Sequence, residues 1–155
     1  SRMHAPHPAR QLIAAAGLCL LSLSTSVAQA QSMVSVQGST LNMREGPSTR
    51  AAVLWELKRG YPLQVTERKG GWIKVRDFEG DTGWVSRSLT GNTPHHVVKA
   101  KVANIRSGPG AQHRIVGKAS YGELLRTREK RADWVRVERE EGVGGWIAKQ
   151  LLWGF

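Results

Sequence analysis

A chain of 155 residues with one cysteine cannot be a disulfide-stapled scaffold and cannot build a site from several thiolates. Its 23 Lys and Arg against 12 Asp and Glu give a formal charge of +11. An excess of that kind bears on partners and solubility rather than on fold.

The first 30 residues stand apart from the rest. Residues 12–27 are apolar or small and carry no charge, Arg2 and Arg10 precede them, and Ala28-Gln29-Ala30 offers a small-x-small cleavage site. This layout predicts a secretory signal over 1–30, cut after Ala30. The apolar run of about 16 residues falls short of the ~20 that a spanning helix needs, so no membrane span is expected after cleavage. Leu18 is too large for a lipid-attachment signal at Cys19, and no other cysteine follows. The expected location is across the inner membrane, in the periplasm, with stability drawn from packing alone.

From residue 31 onward the chain reads as short strands separated by turn signals. Residues 33–37 and 40–43 are extended. Residues 44–50 form a loop broken by Gly46-Pro47, because the residue before proline is pushed out of the helical region. Residues 53–57 are apolar enough for a strand, and 62–67 alternate with Leu63 and Val65 on one face. Gly70-Gly71 turns the chain into 72–76, and Glu79-Gly80-Asp81 turns it into 82–86. The same series returns at 97–101, 102–106, 115–119, 123–129, 133–139 and 143–148.

The return is a sequence repeat with an offset of 62 residues and no gap. Asn42-Met43-Arg44-Glu45-Gly46-Pro47-Ser48 becomes Asn104-Ile105-Arg106-Ser107-Gly108-Pro109-Gly110, and Gly83-Trp84 becomes Gly145-Trp146. Between 41–89 and 103–151 there are 14 identities in 49 positions. Chance would give roughly three or four at average residue usage. Self-similarity at a fixed period means repeated units. The domains are therefore placed at 31–90 and 97–155, with 91–96 as a linker. The first unit, counted over 31–94, has nine basic and six acidic residues, and the second, over 95–155, has twelve and six.

Period-two geometry assigns the faces. Ile73 and Val75 point inward with Val135 and Val137, while Trp72 and Trp134 fall on the opposite side of their strands. Trp84 and Trp146 are read as lids over the open end of a small barrel, where an amphipathic ring serves well.

The run Asn-hydrophobe-Arg-x-Gly-Pro-Ser/Gly, followed by Trp-hydrophobe-x-Val and Gly-Trp-Val/Ile, resembles the bacterial SH3-like (SH3b) domain. The resemblance covers both units, about 34–90 and 97–153. It implies an all-β protein of two small SH3-like β-barrels in tandem. It also implies that the Arg-x-Gly-Pro loop lies beside a groove lined by a tryptophan. The candidate ligand-binding residues are then Arg44, Pro47 and Trp72 in the first unit and Arg106, Pro109 and Trp134 in the second. Family members commonly bind cell-wall peptides or accompany wall-cleaving domains. Ser86-Arg87-Ser88-Leu89 and Ala148-Lys149-Gln150-Leu151 lack the proline and tyrosine of a polyproline groove, so recognition of that helix is not expected.

Catalysis by hydrolysis needs a nucleophile with a base, a carboxylate pair or a metal. His95-His96 sit in the linker without a third ligand nearby in sequence, and His113 occurs in one copy only. Asp77, Glu79 and Asp81, like Glu140-Glu141, crowd hairpin tips where carboxylates are simply solvated. No catalytic residue, metal or cofactor is expected. Arg126, Arg128, Lys130 and Arg131 would suggest nucleic acid in a cytoplasmic protein, but export argues against that partner. The sequence thus reads as a non-enzymatic, exported tandem binding module for peptidoglycan peptides or another envelope component. The alternative is a protein–protein adaptor in an envelope complex. The more basic second unit is the better candidate for binding.

Overall fold

The computed structural model describes residues 32–155; the expected signal over 1–30 lies outside them. The first unit contains β1 (Met33–Val36), β2 (Thr40–Arg44), β3 (Val53–Lys58), β4 (Pro62–Lys69), β5 (Trp72–Arg76), β6 (Thr82–Ser86) and β7 (Thr90–Gly91). The second contains β8 (His95–Val98), β9 (Val102–Arg106), β10 (Ile115–Ser120), β11 (Leu124–Arg131), β12 (Trp134–Glu138), β13 (Gly144–Ala148) and β14 (Leu152–Gly154). A single 3₁₀ turn follows β6 and another follows β13, at Arg87–Leu89 and Lys149–Leu151. No helix among the described residues is long and apolar enough to cross a membrane.

The protein is all-β, but the expectation of two closed barrels is corrected. Each unit is one seven-stranded antiparallel sheet with free ends, in the orders β3-β2-β6-β5-β4-β1-β7 and β10-β9-β13-β12-β11-β8-β14. The reason lies in the pairing. β4 spends its first residues on β1, with Val34 opposite Leu63, instead of turning back onto β3. At the other side β2 meets β6 through one pair, Arg44 opposite Trp84, and β9 meets β13 through the equivalent pair, Arg106 opposite Trp146. These joints are thin, and bulges at Val65/Glu67 and Thr127/Glu129 add local twist. The sheet folds over its own core without hydrogen-bonding edge to edge.

Gly83 and Gly145 explain why the joint is so close. A Cβ on Gly83 would come within 2.6 Å of the Met43 side chain, and one on Gly145 within 2.5 Å of the Arg106 carbonyl oxygen. Only glycine lets β6 and β13 approach at that distance. Next to them Trp84 and Trp146 are nearly covered, at 9% and 8% exposed.

Each unit has its own apolar core. The first gathers Val36, Leu41, Met43, Leu57, Leu63, Ile73, Val75 and Val85. The second places alanines, Ala103 and Ala119, at the positions of Leu41 and Leu57, and adds Leu152 from β14, with Leu151 packed against the cluster. The units also touch each other. The Ser35 hydroxyl ties β1 to the segment joining the units, donating to the Thr93 carbonyl at 2.7 Å. Phe78 packs between Tyr61 and Tyr121, with ring centroids 6.2 and 5.4 Å away, and the Tyr121 hydroxyl donates to Glu79 Oε1 at 3.0 Å. Burial and the nearby Asp77 and Glu79 carboxylates push the Tyr61 phenol above its ordinary pKa.

Candidate functional site

The Arg-x-Gly-Pro loop is held together by its own arginine. Arg44 Nη1 donates to the carbonyls of Thr49 and Ala51, both at 2.9 Å. Arg106 Nη1 repeats the arrangement on Ala111 and His113, both at 3.0 Å. A guanidinium with five rigidly arranged donors suits such a clamp, and the charge strengthens each bond. The sequence signal for this role was present: an arginine entering a Gly-Pro loop in both copies. Pro47 and Pro109 are half-buried in these loops.

The tryptophans Trp72 and Trp134 open β5 and β12, and both are half-buried. They lie away from the loops along the sheet. Trp134 stands opposite Ala148, whereas Arg106 stands opposite Trp146, two residues further on. Neither Arg106 nor Pro109 lines the cavity that Trp134 lines.

Trp134 instead lines an open cavity of roughly 560 Å³ with β14 and the 3₁₀ turn that precedes it. Trp153 and Phe155 add two more aromatic residues to its lining, Lys99 and Lys149 two cationic ones, and Asp133 an acidic one. That volume lies in the usual range for small-ligand sites, in which apolar walls carry a few placed polar groups. The backbone fixes the two lysines: Lys99 N–H donates to the Leu151 carbonyl at 3.0 Å, and Lys149 N–H to the Asp133 carbonyl at 2.8 Å. Both lysine side chains are exposed and take no part in an ion pair among the described residues. Sequence reasoning reached Trp134 and missed Trp153, Phe155 and the lysines. Their assembly depends on β14 pairing with β8, which brings Trp153 opposite Val97.

His96 forms the buried part of this wall, with Nδ1 2.6 Å from the Thr127 hydroxyl oxygen. Burial, then the positive charge of Lys130, lowers its pKa to about 4; a backbone hydrogen bond to Phe155 acts the other way, and Lys149 adds to the lowering. The ring is neutral at pH 7. Asp77 is a turn residue: its Oδ1 accepts from the N–H groups of Glu79 and Asp81 at 3.0 and 2.9 Å, while burial raises its pKa against those bonds. A second cleft of roughly 670 Å³ runs between the units and is lined by Glu56, Tyr61, Glu123, Glu140 and Glu141 among others. Glu123 is already paired with Arg139 at 3.0 Å. Among the described residues no group of three or more His, Cys, Asp or Glu side chains could hold a metal ion.

An all-β unit with an arginine-stapled Gly-Pro loop and a buried Gly-Trp joint, present twice, defines a class of small repeat domain. The bacterial SH3 domain family model matches residues 37–91 and 99–154, and the chain belongs to that family. Over 139 residues, 83% of this chain, it is 23% identical to a Bacillus subtilis (strain 168) protein named "Putative N-acetylmuramoyl-L-alanine amidase YrvJ". The match spans 27% of that protein, so this chain corresponds to about a quarter of its curated relative. Among solved structures it is similar to NlpC1 of Trichomonas vaginalis, 17% identical, TM-score 0.38, covering 82% of this chain and 47% of that one. It is likewise similar to an NlpC/P60 family protein of Bacillus cereus ATCC 10987, 16% identical, TM-score 0.38, covering 79% and 56%.

The curated relative corrects the reading of a non-enzymatic module and of an adaptor. The curated relative is named as an enzyme, an amidase, and its likeness runs through both units of this chain. The match takes in 27% of that relative's length, so the lack of catalytic residues within the two repeats does not bear on the rest of it.

Proposed function

We propose that this chain serves in the hydrolysis of the bacterial cell wall, its two SH3 units holding peptidoglycan for cleavage. The observation that carries the reading is the match, over 83% of this chain, to the protein named "Putative N-acetylmuramoyl-L-alanine amidase YrvJ". The aromatic and cationic cavity at Trp134 supports it, because it offers a surface suited to a ligand with apolar and anionic parts. The signal layout of residues 1–30 agrees with work outside the inner membrane, in the periplasm.

Two measurements test the reading. The chain, mixed with purified peptidoglycan sacculi at low ionic strength, is expected to sediment with them; protein left wholly in the supernatant would overturn the wall-holding role. Cells lacking the gene are expected to release fewer free stem peptides from the wall. An unchanged release would overturn the link to hydrolysis.

A further inference from the structure

The cavity of the second unit has a composition that its counterpart in the first unit lacks. At the offset of 62 residues, Lys99 corresponds to Gln37, Asp133 to Gly71, Trp153 to Gly91 and Phe155 to Thr93. Trp134 keeps its tryptophan at Trp72, and Lys149 keeps a cation at Arg87. Three half-buried aromatic rings and two unpaired ammonium groups are thus concentrated at one place in the molecule.

The shape of the wall narrows the ligand. β14 is the last strand of its sheet, paired only with β8, and Leu152, Trp153 and Gly154 all line the cavity. A free strand edge offers backbone donors and acceptors to an extended peptide, while side pockets select what the peptide carries. Charge selects its end. Lys99 and Lys149 outnumber Asp133, and burial, then Lys130 and, to a smaller extent, Lys149, lower the pKa of the neighbouring His96. An anionic group placed between the lysines gains charge-assisted hydrogen bonds. The inter-unit cleft, rich in glutamates, repels the same group.

We propose that this cavity is a carboxylate-recognition site, taking a short peptide by its free terminal carboxylate between Lys99 and Lys149, with Trp134, Trp153 and Phe155 against its apolar part. The identification of the peptide's source as the wall rests on the function proposed above; the carboxylate chemistry does not.

The test titrates the ¹⁵N-labelled chain with N-acetyl-Ala-Ala as the free acid and as the C-terminal amide. Saturable shifts of the Trp134 and Trp153 indole N–H signals are expected with the acid, and binding of the amide about tenfold weaker or more. Lys99→Gln with Lys149→Gln is expected to bring the acid down to the level of the amide, the unchanged Trp84 and Trp146 signals reporting an intact fold. Equal response to acid and amide, no saturable response, or a response centred on Trp72 would overturn the proposal. Sedimentation of the same samples with sacculi separates the two readings. Wild-type protein that sediments but ignores the free acid leaves the wall reading standing and sinks this one. Protein that binds the acid but not sacculi does the reverse.

Discussion

The two units share a scaffold and differ in what they hang on it. Both have the arginine-clamped loop, the glycine-spaced joint and the bulges at equivalent positions in their longest strands. They part at the end of the sheet. In the first, β7 has two residues, Thr90 and Gly91, and ends the sheet with little side chain. In the second, β14 has three residues, puts Leu152 into a core thinned by two alanines, and brings Trp153 to a cavity. The same strand thus completes the core and builds the candidate site. A repeat can gain a binding surface by changing its last strand without altering the rest of the fold.

The largest expected effect breaks that difference directly. Leu152→Ala should destabilise the second unit by about 2–4 kcal/mol, the range for truncating a buried leucine. Thr90→Ala, at the matching position, should cost under about 1 kcal/mol. Hydrogen exchange at Val137 and at Val75 reports the two units separately, and equal losses would refute the different roles of the closing strands.

His96 gives the next contrast, since the first unit has Val34 at that position. A histidine held neutral with a pKa near 4, against an ordinary 6.5, binds a proton in the unfolded chain before it does in the fold. Stability should therefore fall as pH drops from about 6.5 to about 4, by on the order of 2–3 kcal/mol. His96→Gln should flatten the slope across that window. Denaturant midpoints measured at several pH values check this, and an unchanged slope in the variant would contradict it.

Gly60 and Gly122 share a left-handed backbone, with φ of +83° and +80°, but only at Gly60 is the space filled: a Cβ there would lie 2.8 Å from the His95 ring. Gly60→Ala should cost about 2 kcal/mol and Gly122→Ala about 1 kcal/mol, the difference coming from contact between the units. Thermal unfolding of the two variants compares them. The smallest effect should appear where the copies agree: Arg44→Met and Arg106→Met should each cost about 1 kcal/mol, by similar amounts, since each removes one clamp of two bonds.

Much of the fold was legible because the repeat and the period-two pattern are local. The hairpin of Trp72–Arg76 with Thr82–Ser86 and the inward valines followed from alternation alone. The open sheet did not, because closure depends on whether β4 pairs with β3 or with β1, a choice between distant segments of similar composition. The candidate site was legible only at Trp134. Trp153 sits in a short terminal run without periodicity, and its meeting with Lys99 depends on β14 lying against β8. The Arg-x-Gly-Pro pattern marks Arg44 and Arg106 as loop residues, but which carbonyls each guanidinium takes is set by backbone curvature that residue spacing does not encode.

The central claim is that, of the two units proposed to hold peptidoglycan, the second does most of the holding. Sedimentation of Trp134→Ala and Trp72→Ala variants with purified sacculi measures it most directly. Retention should fall about fivefold or more further for Trp134→Ala than for Trp72→Ala, in line with the loss of an aromatic anchor from a built site. Equal losses, or a larger loss at Trp72, would contradict the account.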